Sequence, residues 1–412
     1  VDFQYPAELD EFRAEVRRAL AEELPEGFIG VGGIADRTSA ETFVREFRDT
    51  LVRRGLFAVT WPVEYGGRGL SRLHQVALVD ELARAGLPYG VATDTYSVKM
   101  LANTLLVWGT QEQKQSFLPR IRSMEHVWCQ GYSEPGSGSD LASLSTRARL
   151  DGSEWVIDGQ KVWTSSADRA NWIFVLARTD PEAPRHSGIS FLLVPLDQPG
   201  IEVRPIRMIN GDAEFAEVFF TGARTRADLV VGPVNAGWKV AQTLLGYERG
   251  DEAATLPLLF RAELDRLIAL VRDRGLHDDP LIRQELVQCF SSVEVMRFLG
   301  YRVLTGLISE KAPGPEASVF KLMWSEYHQR VTDLAMNVLG LPGIVPEGRG
   351  PLRVYRTDDP GAPNSTGSWS QVFLNARAGT IYAGTSEVQR NILGEGVLGL
   401  PREPRPAGSS RG

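Results

Sequence analysis

Trp155-Val-Ile157, Trp172-Ile-Phe-Val-Leu176, Phe191-Leu-Leu-Val194 and Val218-Phe-Phe220 all fall within 126–235, where aromatic and β-branched runs alternate with turn residues. Short runs of this composition are strand signals. Asp151-Gly152 and Asp158-Gly159 each predict a hairpin turn, because glycine accepts the positive φ such turns require. On either side the apolar period becomes helical. Leu9, Phe12, Val16 and Leu20 repeat at three- and four-residue intervals before the strands, as do Leu264, Leu267, Ile268 and Val271 after them. Helices, then strands, then helices, without alternating strand-helix units, argue against a doubly wound nucleotide fold. The expected class is α+β: a helical domain over 1–125, a β-domain over 126–235, a helical domain over 236–400 and a tail over 401–412.

Within the first helical region Trp61-Pro-Val-Glu-Tyr-Gly-Gly-Arg-Gly69 stops helix propagation and reads as a loop, and a further apolar helix is expected over 74–85. The segment 348–370, rich in Gly, Pro, Asp and Ser, predicts a long loop. The tail is rich in Pro, Gly, Arg and Ser and is expected to fray. No internal repeat is evident.

The chain has 412 residues, 43% hydrophobic and 24% charged, which is ordinary globular material long enough for several buried cores. A formal charge of -7 gives no global attraction to nucleic acid or an anionic membrane, so an anionic ligand needs a local site. Apolar runs are too short to span a bilayer, and Val1-Asp-Phe-Gln lacks the basic, apolar character of a signal segment, so a cytoplasmic protein without membrane or nucleic-acid partners is expected. Cys129 and Cys289 are far apart, and the five histidines are scattered without ligand spacing. No metal site is expected.

Glu134-Pro-Gly-Ser-Gly-Ser-Asp140 lacks the third glycine and the strand-turn-helix setting of a dinucleotide fingerprint. Four segments nevertheless occur in order: Trp61-Pro-Val-Glu-Tyr-Gly-Gly67, Glu134-Pro-Gly-Ser-Gly-Ser-Asp140, Gly159-Gln-Lys-Val-Trp163 and Gly384-Thr-Ser-Glu-Val-Gln-Arg390. Together they resemble the acyl-CoA dehydrogenase family, over roughly residues 5 to 400. The resemblance implies a β-barrel or sandwich in the middle, a C-terminal four-helix bundle, and FAD as cofactor.

It also implies site residues. Gln130, Ser133, Gly138 and Ser139 fall in the family's flavin loop, where small residues let the backbone come close to a ligand. Trp163 and Ser165 are placed against the flavin ring, while Asn337, Gly340, Thr385 and Glu387 match positions near the adenosine half. Ser139, Tyr382 and Arg249 are expected near substrate. Many members carry the base that removes the substrate's α-proton directly after the tyrosine of the C-terminal motif, but this chain has Ala383 there. Other members place the glutamate on the first long helix of the C-terminal domain. Glu248-Arg249 matches that Glu-Arg pair, and Leu244, Leu245 and Tyr247 offer an apolar approach able to desolvate an acid. Glu248 is the candidate base.

Pro257 is expected to kink this helix. The family's pyrophosphate-binding Arg-x-x-Phe-Gly is replaced by Arg272-Asp-Arg-Gly. The expected partners are an acyl-CoA, an electron-transfer flavoprotein as acceptor, and either further copies or a related subunit in a heterotetramer. Ala383 keeps a second reading open, a non-catalytic FAD-holding subunit that completes another chain's site. A flavin oxidase or monooxygenase on the same fold is the third.

Overall fold

The computed structural model describes residues 7–34, 36–211, 213–250, 252–308, 316–345 and 368–401, with the side chains of 7, 37, 247–250, 252–254, 307–308 and 316–317 falling outside that description. Most of the expected loop 348–370 and all but the first residue of the expected tail also lie outside the described residues. The described chain is α+β, and it divides into two compact units: Val1–Val91 with Arg249–Leu400, and a second built on Ala92–Glu248.

The first unit is helical. It holds α1 (Ala7–Glu23), α2 (Arg37–Arg53) and α3 (Arg72–Arg84). Leu9, Phe12, Val16 and Leu20 of α1 are all buried, as their spacing predicts. Arg13 of α1 donates to Asp80 (2.6 Å) and Glu81 (2.7 Å) of α3, so the charges buried between the two helices are paired.

In the second unit α4 (Asn103–Trp108) and α5 (Gln111–Arg122) precede a mixed sheet. Its strands are β1 (Trp128–Gly131), β2 (Arg147–Asp151), β3 (Glu154–Ser165), β4 (Trp172–Arg178), β5 (Ile189–Pro195), β6 (Ile201–Ile206), β7 (Phe215–Arg226) and β8 (Val230–Val231). The order is β6-β7-β3-β2-β4-β5-β8, with β1 parallel to β4. Three strands separate β7 from β5 in this order, yet Thr225 of β7 donates its hydroxyl to the Leu193 carbonyl of β5 at 2.6 Å. The sheet therefore curls into a barrel-like layer around Ile157, Ile173, Val175, Leu192, Val194 and Val218.

Asp151-Gly152 makes the expected β2–β3 hairpin, with Gly152 at φ 64. Asp158-Gly159 does not turn: both residues lie within β3, and the β3–β7 register shifts between Ile157 and Asp158. The signal was that of a bulge. Asp158 accepts the Gly222 amide of β7 through its carboxylate (2.8 Å), and Gly159 takes φ 151 because Thr146 lies against it. A Cβ on Gly159 would meet Thr146 Oγ1 at 2.5 Å and its Cα at 2.7 Å. Gly159→Ala is expected to cost about 2 kcal/mol or more by overpacking, read as a lower denaturant midpoint.

The chain then returns to helices: α6 (Gly237–Gly250), α7 (Glu252–Asp273), α8 (Pro280–Ile308), α9 (Glu316–Leu339), α10 (Trp369–Ala376) and α11 (Ser386–Asn391). Within the helical unit α7, α8 and α9 share a core that includes Leu264, Leu267, Val271, Cys289, Val293, Met296, Phe320 and Val331. Pro257 sits in the second turn of α7. Cys129 and Cys289 are free and buried, and burial pushes the Cys289 thiol up to about 12. Neither suits a nucleophile. Among the described residues no cluster suits a metal and no helix is long and apolar enough to cross a membrane.

Candidate active site

The loop after β1 is held by one acid. Glu134 is almost wholly buried and accepts from Lys161 Nζ (2.7 Å), the Ser145 amide (2.6 Å) and hydroxyl (2.8 Å), and the Thr146 amide (2.9 Å). Lys161, on β3, is fully buried and also donates to the Tyr132 carbonyl at 3.1 Å. Burial works against the charge on Glu134, but Lys161 and the loop's donors outweigh it and hold the carboxyl at about 2. Lys161 is itself lowered to about 8, burial prevailing over the attraction of Glu134.

This anchoring shapes a tight turn. The Glu134 and Ser137 backbones exchange hydrogen bonds at 2.9 and 3.0 Å, and Ser137 Oγ donates to the Asp140 carbonyl at 2.8 Å. Gly138 and Ser139 are left exposed. A Cβ at Gly136 or Gly138 would meet nothing within 4 Å, so the chain's own packing gives no reason for glycine there. A ligand lying close to the backbone would.

The same loop touches the second expected segment. The Val162 amide donates to the Ser133 carbonyl at 2.9 Å, and Gln130 is half-buried on β1 beside Phe174 of β4. The β3–β7 register breaks between Lys161 and Thr164, leaving Val162 and Trp163 in a bulge. Trp163 takes φ 61, a left-handed backbone that a bulky residue adopts only at a cost, and its side chain is 59% exposed. Its indole meets Phe215 edge-on at 6.0 Å. Ser165 is buried, Ser166 is again left-handed at φ 58, and the Thr164 hydroxyl is buried without a partner. A strained strand thus presents one large aromatic face outward, beside a glycine loop with open backbone.

In the helical unit Tyr382-Ala383-Gly384 forms a turn with φ 53 at Ala383 and 88 at Gly384. Gln389 donates its side-chain amide to the Ala383 carbonyl at 3.0 Å. Thr385 caps α11, its hydroxyl accepting the Val388 amide at 3.2 Å, and Glu387 is lowered by its own backbone amide and by the Thr385 hydroxyl. Tyr382 is 41% exposed, with its ring 6.0 Å from Trp324. Asn337 and Gly340 are exposed near and just beyond the end of α9. Asn337 lies sixteen positions along α9 from Lys321, which feels the Glu387 charge, a helical rise of roughly 24 Å. Glu248 and Arg249 lie in the last turn of α6, but their side chains are outside the described residues.

The Lys161–Glu134 pair escaped the sequence reading. Alternation along β3 was its signal: a lysine at an inward position of a strand whose other inward residues are Trp155 and Ile157 needs an acid partner.

Three family models cover the chain: the acyl-CoA dehydrogenase N-terminal domain over residues 6–125, the middle domain over 129–223 and the C-terminal domain over 235–398. The chain belongs to the acyl-CoA dehydrogenase family. It is 45% identical to acyl-CoA dehydrogenase IpdE1 of Mycobacterium tuberculosis over 402 residues, 97% of this chain and 99% of that protein. A solved structure described as the Tcur3481-Tcur3483 steroid ACAD superposes with a TM-score of 0.79 at 35% identity, covering 98% of this chain and 100% of that one. The ChsE4-ChsE5 complex from Mycobacterium tuberculosis gives 0.76 at 30% identity, with coverage of 98% and 100%.

Acyl-CoA dehydrogenases are FAD-binding oxidoreductases acting on CH–CH donors, and this chain is one of them. Its residues fit the cofactor. An exposed, backbone-strained Trp163, an orphaned Thr164 hydroxyl and a glycine loop without packing constraints suit a flat aromatic ring with a polar edge.

Proposed function

We propose that the chain catalyses α,β-dehydrogenation of an acyl-CoA thioester with Glu248 as the base. Ser133, Ser139, Trp163 and Ser165 would hold the flavin half of FAD, with Gln130 and Gly138 shaping its loop. Thr385 and Glu387 on one side, and Asn337 and Gly340 on the other, would serve the adenosine half of two different cofactors across a subunit interface. Bound FAD would supply the hydride acceptor.

The carrying observation is a pair of positions on the backbone. The turn that displays the base in many family members is intact at 382–384 but bears only the methyl group of Ala383. Glu248 stands four positions after Leu244 and eight after Val240 on α6, a helical spacing from residues that are buried. Such a place suits an α-proton base, because desolvation raises a carboxylate's proton affinity. Ser139, Tyr382 and Arg249 would contact the substrate.

Similarity to a steroid ACAD supports a bulky, ring-bearing acyl group. The solved relatives that carry two chain names support assembly with a related subunit, and an electron-transfer flavoprotein is the proposed acceptor. Ala383 also favours a second reading, in which this chain completes the site of its partner.

Anaerobic spectra of the purified chain tested with straight, branched, dicarboxylic and steroid-side-chain acyl-CoAs separate the two. Bleaching of bound flavin by a ring-bearing thioester is the expected result. A yellow or colourless protein that no thioester bleaches would move the activity to the partner chain.

A further inference from the structure

One face of α9 is polar and yet inside the protein. Ser318, Lys321, Ser325, His328 and Thr332 recur at alternating intervals of three and four, and all are buried. Three of them have evident partners. Ser325 donates to the Leu322 carbonyl at 3.2 Å, Thr332 receives Arg377 at 3.2 Å, and His328 lies 3.2 Å from Glu263 of α7. Lys321 differs: it is 3% exposed and its Nζ has no hydrogen-bond partner. A buried ammonium without a hydrogen-bonded partner costs several kcal/mol, so a fold that needed only packing there would use an apolar chain.

The helix packed on this part of α9 has matching gaps. On α11, Ser386 is 5% exposed and Gln389 1%, and both Ser386 Oγ and Gln389 Oε1 are buried without partners. The other side-chain atom of Gln389 holds the Ala383 carbonyl. Glu387, between them in sequence, attracts the Lys321 charge, while burial prevails and lowers it to about 8. Three N–H donors on α9 thus complement a hydroxyl and an amide oxygen on α11. Gly384 adds a steric reason for the arrangement, since a Cβ there would sit 2.7 Å from Gln389 Nε2.

We propose that Lys321 is a positioning residue for the turn 382–385, tying α11 to α9 through ordered water shared with Ser386 and Gln389. It touches neither substrate nor cofactor. Its effect passes through Gln389 to the Ala383 carbonyl, and through the first turn of α11 to Thr385. The functional weight of that turn rests on the dehydrogenase reading, whereas the tie itself does not.

Hydrogen exchange on the full chain tests it. The Val388 and Gln389 amides bond to Thr385 Oγ1 (3.2 Å) and Thr385 O (2.9 Å), so they report on the turn. In Lys321→Met their exchange should rise about ten-fold while the melting temperature is held or raised, because a desolvated charge has been removed. Ser386→Ala should add little on top of Lys321→Met. FAD retention, measured on the same samples, should fall with the loosened turn.

Unchanged exchange at Val388 and Gln389 overturns the proposal. A lower melting temperature with faster exchange throughout the helical unit also overturns it, making Lys321 a general stabiliser. Fully additive effects of the two substitutions remove the shared water. Exchange is read without substrate, so failure here leaves the assignment of Glu248 standing, and a wild-type chain that no thioester bleaches leaves the tie standing.

Discussion

Replacing Glu248 by glutamine is expected to abolish substrate-dependent bleaching of bound flavin, with loss of turnover on the order of 10³-fold or more. The substitution keeps shape and hydrogen bonding but removes the only function proposed for the carboxylate, acceptance of the α-proton. FAD content and substrate affinity should change little, since neither depends on that proton. The variant should still bind an acyl-CoA and shift the flavin spectrum without bleaching it. Ala383→Glu is the companion measurement, because it restores an acid to the turn whose backbone is already formed. A Glu248→Gln protein that bleaches at the wild-type rate would sink the assignment and require a different base within this chain.

The second large effect is on stability. Lys161→Met should destabilise the sheet-containing unit by roughly 3–5 kcal/mol, because it leaves the Glu134 carboxylate buried without its cation. For a unit of this size that is a loss of roughly 10 °C in melting temperature. Adding Glu134→Gln should recover much of it, since removing both charges is far less harmful than removing one. If Lys161→Met alone shifts melting by less than about 2 °C, the pair is not what holds the loop.

Acid provides an independent measure of the same pair. Glu134 is held at about 2 in the fold against an ordinary value of 4.5, so between these values the unfolded chain binds the extra proton. Its contribution is fully present above 4.5 and lost as pH falls towards 2, an amount of ~3 kcal/mol. Glu134→Gln should flatten that part of the acid unfolding curve.

Periodicity and composition carried the architecture because burial imposes period on sequence. Leu9 to Leu20 of α1 and Leu264 to Val271 of α7 are buried stripes, and β4 and β5 are the apolar runs that marked them. Asp158-Gly159 misled because glycine answers two needs with the same letter. A turn needs its positive φ, but here the need was room for Thr146 above a bulge. Compactness groups the helices before Val91 with those after Arg249, and proximity across such a distance in sequence has no local signature. In the site, Trp163 and the glycine loop were visible as motifs. The left-handed backbone that turns Trp163 outward, and the buried acid beneath the loop, depend on pairing between strands and could not be read from either segment alone.

The turn at Ala383 keeps a left-handed alanine, a carbonyl caught by Gln389 and a capped helix behind it, all without an acid to display. Scaffold and acid are therefore independent here: the turn owes its shape to its own hydrogen bonds and helix cap, so a carboxylate introduced at 383 would be added to a conformation that exists without it.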